Sequence, residues 1–331
     1  MRIPWLAAAI VAALVIAGCA PVTDTDSTGA GWIEFPHLPS AFAPAAKPPA
    51  LPPAGPVGRG ALLAQTSAGI VLVLEDGAQY RLPSTPPGEG RQGTLLASLS
   101  PTGRWLGYRR GAHVGDTVYR VRDLGGRRVT EFEGDPVWWS PDGRFLLAQA
   151  RTVTDRTVAG VDALIVDVLT GAVRVVPNAT PVGGLLPGGD VFTTAAHLRV
   201  GGAGPEDECW CPEGGWTVSP DGARVSTVVR YERGLVPGTG AKSAPRGDHP
   251  VAILVADRAT GVQHPLVDLP ANASWALAAD TGAGLLLHRR TGATASDYAL
   301  VRFDPAAATT EVVYPNALGL VVPGEVLRTG E

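Results

Sequence analysis

Beyond residue 58, the chain consists of short apolar runs separated by turn residues. Residues 138–147 show the pattern most clearly, reading Trp-Trp-Ser-Pro-Asp-Gly-Arg-Phe-Leu-Leu. Proline pre-sets φ in a turn, Ser and Asp side chains bond to the local backbone, and glycine tolerates a positive φ. This stretch therefore predicts an apolar strand, a tight turn and a second apolar strand.

The same pattern recurs at residues 99–106 and 218–225. A second pattern alternates with it, in which an apolar strand ends in Asp and a short glycine-containing turn follows. Its copies lie at residues 121–126, 166–171 and 255–261, with looser copies at 74–77 and 302–305. If four strands are named a to d, the Ser-Pro turn joins a to b and the Asp…Gly turn joins c to d. Such a unit is close in length to a propeller blade of about 40–45 residues.

The fold class predicted from this repeat is all-β, a six-bladed β-propeller. Clear blades are expected at residues 93–134, 135–178, 214–270 and 271–315, and a degenerate blade at 179–212. Residues 60–83 lack an opening strand, and residues 319–322 near the C-terminus supply one. Pairing of these two strands would complete a blade and remove an exposed edge. Because one blade is degenerate, five or seven blades are the alternatives.

The two repeated turns resemble the WD40-like repeats of the TolB-type β-propellers, over roughly residues 60–331. The repeat is specific for the fold and unspecific for function. TolB itself has an additional N-terminal domain, in whose place this chain has the lipobox and a proline-rich spacer, so the role of TolB is not carried over. We expect a TolB-like scaffold that binds an envelope or secreted protein or peptide. Similar propellers also occur joined to peptidase domains, which this chain is too short to contain.

The N-terminus has the pattern of an export signal. Arg2 supplies a positive charge, and residues 5–17 are apolar but too few for a comfortable membrane span. The run ends in Ile-Ala-Gly-Cys at residues 16–19, which resembles the lipobox of bacterial lipoproteins. The resemblance implies a signal peptide at 1–18 and acyl chains such as palmitate on Cys19. These chains would anchor the protein to the extracytoplasmic face of the cell membrane. An ordinary secretory signal with an incidental cysteine is the alternative.

Residues 19–58 are rich in proline, alanine and small polar residues. Such a segment cannot bury a core and favours extended polyproline geometry, so it predicts a semi-rigid tether before a propeller domain at 59–331. Trp32, Ile33 and Phe35 interrupt this composition. We expect them to dock either on the propeller or on the membrane surface.

The net charge and the motif content of the sequence limit the classes of function to be considered. The net charge of −4, without blocks of like charge, argues against a general affinity for nucleic acid. The six histidines are scattered, and the sequence shows no nucleophile elbow, phosphate-binding loop, dinucleotide fingerprint or metal-ligand spacing. We therefore expect a monomeric, non-enzymatic protein without metal or cofactor, in which Asp142 and Asp221 cap turns. The alternative is a surface enzyme or small-ligand sensor acting on carbohydrate or peptide, with residues drawn from separate blades.

A binding face is predicted opposite the repeated turns, where the longer b–c and d–a loops lie. Strand b ends in arginines at several blades, namely Arg109, Arg110, Arg151, Arg230, Arg233, Arg289 and Arg290. Guanidinium groups bind carboxylate or phosphate at two points, so this face could bind anions. Alternatively, the arginines form cross-strand ion pairs with the carboxylates that precede strand c. These are Asp116, Asp162, Asp248 and Asp297.

Cys209 and Cys211 flank Trp210 and are the thiols that remain if Cys19 is lipidated. A structural disulfide, a passive thiol pair, and a redox or metal-binding pair are the readings left open, and the acidic residues 206–208 disfavour reactive thiolates. Four further tryptophans lie in or beside strand a and predict inter-blade packing, with one or two facing the channel. They are Trp138, Trp139, Trp216 and Trp275.

Overall fold

The computed structural model describes residues 34–67, 69–83, 96–109, 118–149, 163–176, 182–193, 208–212, 216–233, 251–264, 266–270 and 272–328. Apart from a 3₁₀ turn at Ala295–Asp297, the regular structure in these ranges is β-strand. In chain order the strands are β1 Gly60–Thr66, β2 Gly69–Leu74, β3 Gln79–Arg81, β4 Leu96–Leu99, β5 Trp105–Arg109, β6 Val118–Asp123, β7 Val129–Glu133, β8 Asp135–Trp139, β9 Phe145–Gln149, β10 Ala163–Asp167, β11 Val173–Val176, β12 Val182–Leu185, β13 Val191–Thr193, β14 Glu208–Pro212, β15 Thr217–Val218, β16 Arg224–Arg233, β17 Val251–Asp257, β18 Val267–Leu269, β19 Ser274–Asp280, β20 Leu285–Arg290, β21 Tyr298–Asp304, β22 Thr309–Pro315, β23 Leu320–Val321 and β24 Val326–Arg328.

The strands form an all-β propeller of five blades. Blade 1 is β23-β1-β2-β3, blade 2 is β24-β4-β5-β6-β7, and blade 3 is β8-β9-β10-β11. Blade 4 contains β16-β17-β18, with β14 and β15 both paired to β16, and blade 5 is β19-β20-β21-β22. Neighbouring strands pair antiparallel throughout, as an up-and-down blade requires.

The prediction of a sixth blade at residues 179–212 is wrong. There β12 and β13 pair only with each other, as a hairpin between blades 3 and 4. Strand β14, which the sequence assigned to this blade, instead pairs with the far end of β16 in blade 4, with Cys211 opposite Arg230. The inner strand of blade 4 is therefore interrupted, and its first half takes residues from the degenerate repeat.

The predicted closure of the ring by the C-terminus is confirmed. Leu320 and Val321 pair with Ala64 and Leu63, which adds β23 to blade 1. The sequence did not predict that β24 would then pair with β4, where Leu327 lies opposite Ala97. One short C-terminal stretch therefore completes blade 1 and extends blade 2, and covers an edge in each.

The hydrophobic core lies between the blades. Blade 5 packs on blade 1 through Leu286 and Leu300 against Leu62 and Val71. Blade 2 packs on blade 3 through Tyr119 and Phe132 against Leu146 and Val166, and equivalent clusters fill the other gaps. In β7 the residues alternate between buried and exposed, so Thr130 and Phe132 face blade 3.

The Ser-Pro turns have the predicted conformation. Gly103, Gly143 and Gly222 have φ of 69°, 68° and 71°, a left-handed geometry that glycine adopts without strain. At the position where a Cβ of Gly143 would lie, Thr102 Oγ1 is only 2.7 Å away, so close packing between blades also favours glycine. The residues of these turns therefore have a structural role in the propeller.

The described part of the predicted tether, residues 34–58, lies along the propeller. Leu51 donates its N–H to the Arg81 carbonyl at 2.8 Å, and the buried guanidinium of Arg122 donates to the Pro52 and Gly55 carbonyls. Tyr314 donates its hydroxyl to the Pro39 carbonyl. Spare carbonyls of a proline-rich segment are good acceptors for such donors, which explains its docking. The domain boundaries at 18/19 and 58/59 stay predictions.

Candidate functional site

The structure places the described arginines of the predicted binding face at the ends of the b strands. Arg109 ends β5, Arg289 and Arg290 end β20, and Arg230 lies in β16, which Arg233 ends. Arg110 and Arg151 lie outside the described residues, as do Asp116, Asp162 and Asp248.

Arg109 forms a buried ion pair with a carboxylate that was not expected from the sequence. Its guanidinium bonds to Asp135, the first residue of β8 in the next blade. Arg109 is only 9% exposed, so its charge is already neutralised and the pair ties blade 2 to blade 3. This arginine has a structural role.

In blade 5, Arg290 and Asp297 of the same face each form contacts with nearby residues. Arg290 donates its Nε–H to the Gly292 carbonyl at 2.7 Å and lies 5.3 Å from the ring centre of Tyr298. Asp297 caps the following turn, since its carboxylate accepts the N–H and the hydroxyl of Thr294. These hydrogen bonds hold the pKa of Asp297 below its usual value. An anion-binding arginine face therefore stays a prediction.

The carboxylates of the Ser-Pro turns are turn caps, as predicted. Asp221 accepts the hydroxyl of Ser219 at 2.5 Å and the N–H of Ala223 at 3.0 Å, and these bonds lower its pKa. Asp142 does the same with Ser140 and Arg144, and also accepts the Gly188 N–H of the β12–β13 hairpin at 3.1 Å. These hydrogen bonds account for both carboxylates as parts of the turns.

The strongest candidate site is a cavity of about 370 Å³ at the centre of the propeller. It is enclosed by the inner strands of blades 3 to 5, by β12 and by the C-terminal stretch. Trp138, Trp139 and Trp216 supply aromatic surface, and Phe35 of the N-terminal segment closes one side. The turn prolines Pro101, Pro141 and Pro220 also line it, so the cavity reaches the face that carries the Ser-Pro turns. That is the face opposite the one on which the sequence led us to expect binding.

Trp139 is fixed by a buried hydrogen-bond network. Its Nε1–H donates to Ser98 Oγ at 2.9 Å, and the Tyr119 hydroxyl lies 2.9 Å from the same oxygen. Tyr119 is fully buried, which raises its pKa far above the usual value. Trp138 is more exposed than Trp139, and Trp216 is 8% exposed. Trp275 packs between blades 4 and 5 instead, and donates its Nε1–H to the Pro270 carbonyl at 3.1 Å.

Two carboxylates line the cavity, and the sequence analysis identified neither. Glu325 accepts the Val322 N–H at 2.9 Å and lies 3.0 Å from Nε2 of His288. Burial alone would lower the pKa of His288, but the charge of Glu325 and its hydrogen bond together outweigh burial, so the pKa is raised. Asp280 is buried, which raises its pKa. A signal for Asp280 exists in the repeat, because it stands where the other turns have Ser100, Ser140 and Ser219.

Cys209 and Cys211 lie in β14, paired opposite Glu232 and Arg230. Residues two apart in a strand have Cα atoms about 6.6 Å apart, close to the upper limit of about 6.8 Å for a disulfide. The disulfide stays a prediction. Cys19, the predicted lipidation site, lies outside the described residues.

Neither a metal site nor a membrane span is found in the described part of the chain. No group of three or more His, Cys, Asp or Glu side chains there could hold a metal ion. Among the same residues, no helix is long and apolar enough to cross a bilayer.

The pairing order and the closed ring of blades define the class of protein as a β-propeller. Solved propeller structures are similar to this chain. TolB from Acinetobacter baumannii is 18% identical, with a TM-score of 0.41 over 81% of this chain and 65% of its own. An oligogalacturonate lyase in complex with manganese is 16% identical, with a TM-score of 0.41 over 74% of this chain and 70% of its own. A puromycin-hydrolyzing peptidase of Mycobacterium tuberculosis is 18% identical, with a TM-score of 0.37 over 81% and 48%.

No family model and no curated protein matches the sequence. The match spans slightly less than two thirds of the TolB chain.

Proposed function

We propose that the protein is a lipid-anchored, extracytoplasmic β-propeller that binds an envelope or secreted protein or peptide as a non-enzymatic scaffold. The observation that carries this proposal is the central cavity lined by Trp138, Trp139 and Trp216. Indole rings at a concave site offer an apolar surface that suits an apolar side chain presented by a partner, and Trp138 is the most exposed of the three.

The volume of the cavity and the prolines at its rim suit a peptide-like guest. Its volume of about 370 Å³ falls within the range of roughly 300–1,000 Å³ that is usual for ligand sites. Prolines rim it, and proline has no N–H to satisfy, so an apolar group can approach the rim without leaving a donor unpaired. We propose that the partner inserts one aromatic or aliphatic side chain here, while its backbone lies across the turn face.

The anchor follows from the lipobox-like sequence that ends at Cys19. Acyl chains on this one residue would hold the propeller at the extracytoplasmic surface of the cell membrane without a spanning helix. In the producing bacterium, a Cys19→Ser variant should move from the membrane to the soluble fraction. Inhibition of the lipoprotein signal peptidase by globomycin should leave a longer precursor. An unchanged precursor size would contradict the anchor.

Binding at the cavity is tested by photo-crosslinking in intact cells. A photoreactive phenylalanine analogue is placed at Trp138 or Trp216, and at Val312 as the control, because Val312 is 47% exposed on the outer strand β22. We expect the same envelope protein or peptide to be recovered from both cavity positions and not from Val312. Adducts at Val312 alone, or at none of the three positions, would overturn the proposal.

A second candidate function is the sensing of a small ligand, because Asp280 and Glu325 add two carboxylates to a cavity of ligand size. Crosslinking to no protein, together with binding of a sugar or short peptide that Trp138→Ala abolishes, would favour this candidate over the scaffold.

A further inference from the structure

A second, smaller cavity of about 220 Å³ lies between blades 4 and 5. Its polar groups come from Arg224, Ser226, Asp280 and Asp304, and Val255 and Leu285 form part of its apolar wall. Asp280 also lines the central cavity, whereas Arg224 and Ser226 line only the smaller one.

The a–b turn of blade 5, which lines this cavity, departs from the repeat. In blade 3, Ser140 pairs with Phe145, and Arg144 next to Phe145 reaches across to Asp167. In blade 5, Asp280 pairs with Leu285, which puts Gly284 at the position of Arg144. Gly284 therefore carries no side chain where blade 3 has Arg144, and a Cβ there would lie only 2.9 Å from the Phe303 carbonyl oxygen.

One buried polar atom in this cavity has no partner. Ser226 is 0% exposed, and its Oγ makes no hydrogen bond to any described residue. A buried hydroxyl normally has a partner, because leaving it unpaired forfeits the hydrogen bond that water gave it. Ser226, which lines the cavity, therefore has a hydroxyl whose hydrogen-bonding capacity is unused among the described residues.

The carboxylate of Asp280 also lacks a full set of hydrogen-bond partners and a close counter-ion among the described residues. Its side chain is 3% exposed, and Oδ1 accepts the Gly282 N–H at 2.8 Å. The Arg224 guanidinium comes only to 4.0 Å of the same oxygen, which is too long for a hydrogen bond and leaves room for a bridging group. Burial raises the pKa of Asp280, as expected for a carboxyl that lacks a close counter-ion. Asp304, in contrast, is exposed and already accepts two turn N–H groups, from Ala306 and Ala307.

We propose that this cavity binds a free α-amino acid with a short side chain. Its carboxylate pairs with the fork of Arg224, and its ammonium group donates to Asp280 and to the Ser226 hydroxyl. The side chain lies against Val255 and Leu285.

The charges of the site favour such a zwitterion over a simple ion. One guanidinium and one buried carboxylate face the same space, while the exposed Asp304 accepts turn N–H groups, so a lone anion would meet Asp280 and a lone cation would meet Arg224. A guest that carries both charges satisfies both groups and also gives the Ser226 oxygen a donor. The short-side-chain limit follows from the volume of about 220 Å³.

Calorimetric titration of the purified full chain tests this with glycine and L-alanine as probes. Acetate and methylammonium are the controls, because they are the two charged halves of glycine. We expect each amino acid to bind at least tenfold more tightly than either half. In ¹⁵N-labelled protein, the amide signals of Gly282 and Gly284 should shift with the amino acids.

Variants locate the site. Arg224→Gln and Ser226→Ala should each weaken amino-acid binding about tenfold or more, while Arg120→Gln, on the exposed face of blade 2, should leave it unchanged. Asp280→Ser installs the residue of the other turns, so it should remove binding and keep the melting transition. Equal binding of glycine and its halves, no binding at all, or unchanged binding by Arg224→Gln and Ser226→Ala would overturn the proposal. Arg224 and Ser226 line only the smaller cavity, so these two variants, unlike Asp280→Ser, test it separately from the central cavity.

Discussion

Arg144 and Asp167 join the two repeated turns of blade 3 through a two-point ion pair, with Nη2 to Oδ2 at 2.8 Å and Nε to Oδ1 at 3.3 Å. Arg104 and Asp123 form the same pair in blade 2, at 2.8 and 3.2 Å. The pairs show that the a–b and c–d turns share one face of the propeller. In blade 4, where Ala223 replaces the arginine, Arg258 of the c–d turn donates instead to the Gly222 carbonyl at 2.7 Å.

The first prediction concerns this ion pair. Burial alone would raise the pKa of Asp167, but hydrogen bonds from Arg144, Thr170 and Leu169 outweigh it, so the pKa is lowered. A lowered carboxyl pKa stabilises the fold above the unfolded-state value of about 3.9, and this stabilisation is lost as pH falls through the folded-state value. Because the side chain of Arg144 is 46% exposed, we expect a coupling of only about 0.2–1 kcal/mol.

Urea unfolding of Arg144→Gln, Asp167→Asn and the double variant measures this coupling. It should be present at pH 7 and absent at strongly acid pH. An equal coupling at both pH values would show that the pair acts through packing and not through charge.

The second prediction concerns the buried network of Trp139. A Trp139→Phe variant leaves Ser98 Oγ without its indole donor, and we expect it to lower the free energy of unfolding by about 1–3 kcal/mol. Trp138→Phe is the matched control, since the adjacent side chain is more exposed and should cost less. Thermal unfolding followed by near-ultraviolet circular dichroism measures both, and equal losses would contradict the structural role assigned to Trp139.

The third prediction concerns the C-terminal strands. Removal of residues 316–331 deletes β23 and β24, so that β1 of blade 1 and β4 of blade 2 each lose a partner strand. We expect the cooperative unfolding transition to be lost, because the exposed edges and the apolar surface under Leu320 and Leu327 cannot be covered otherwise. Removal of residues 329–331 alone is the control and should leave the transition in place. Scanning calorimetry distinguishes the outcomes.

The fourth prediction concerns His288 and Glu325. A histidine whose pKa is raised in the folded state stabilises the fold below the unfolded-state pKa of about 6.5, and this stabilisation is lost as pH rises through the folded-state pKa. Glu325→Gln should therefore destabilise the protein at pH 5.5–6 by roughly 0.5–1 kcal/mol and have a smaller effect at pH 9. Denaturant unfolding at the two pH values measures the difference. A larger loss at pH 9 would reverse the sign and exclude this pair as its cause.

The sequence was sufficient for the architecture wherever local chemistry decides it. Gly143 at positive φ, Ser140 accepting the N–H of Phe145 at 2.8 Å, and Asp142 capping the turn are all short-range interactions. The same interactions are expected wherever the same residues recur in the sequence. The pairing of Val321 with Leu63 was also predictable, because an unmatched strand at each end leaves one plausible partner.

The features that the sequence did not reveal depend on contacts between repeats. The predicted number of blades was wrong because β16 is long enough to extend past β15. Its far end therefore pairs with β14, which becomes part of blade 4. Glu325 and Phe35 reach the central cavity from chain segments that belong to no repeat. The pairing of Arg109 with Asp135 was not predicted either, because Asp135 belongs to the next blade and not to the hairpin that contains Arg109.

The position of β23 and β24 at the end of the chain also has a consequence for the order of folding. Val321 pairs with Leu63 and Leu327 with Ala97, so the two contacts that finish blades 1 and 2 span most of the chain. Such distant pairings carry a large loop-closure cost and slow the folding of β-proteins. We therefore expect a nascent chain to hold blades 3 to 5 before blades 1 and 2 are complete, and to remain open until its last strands have emerged.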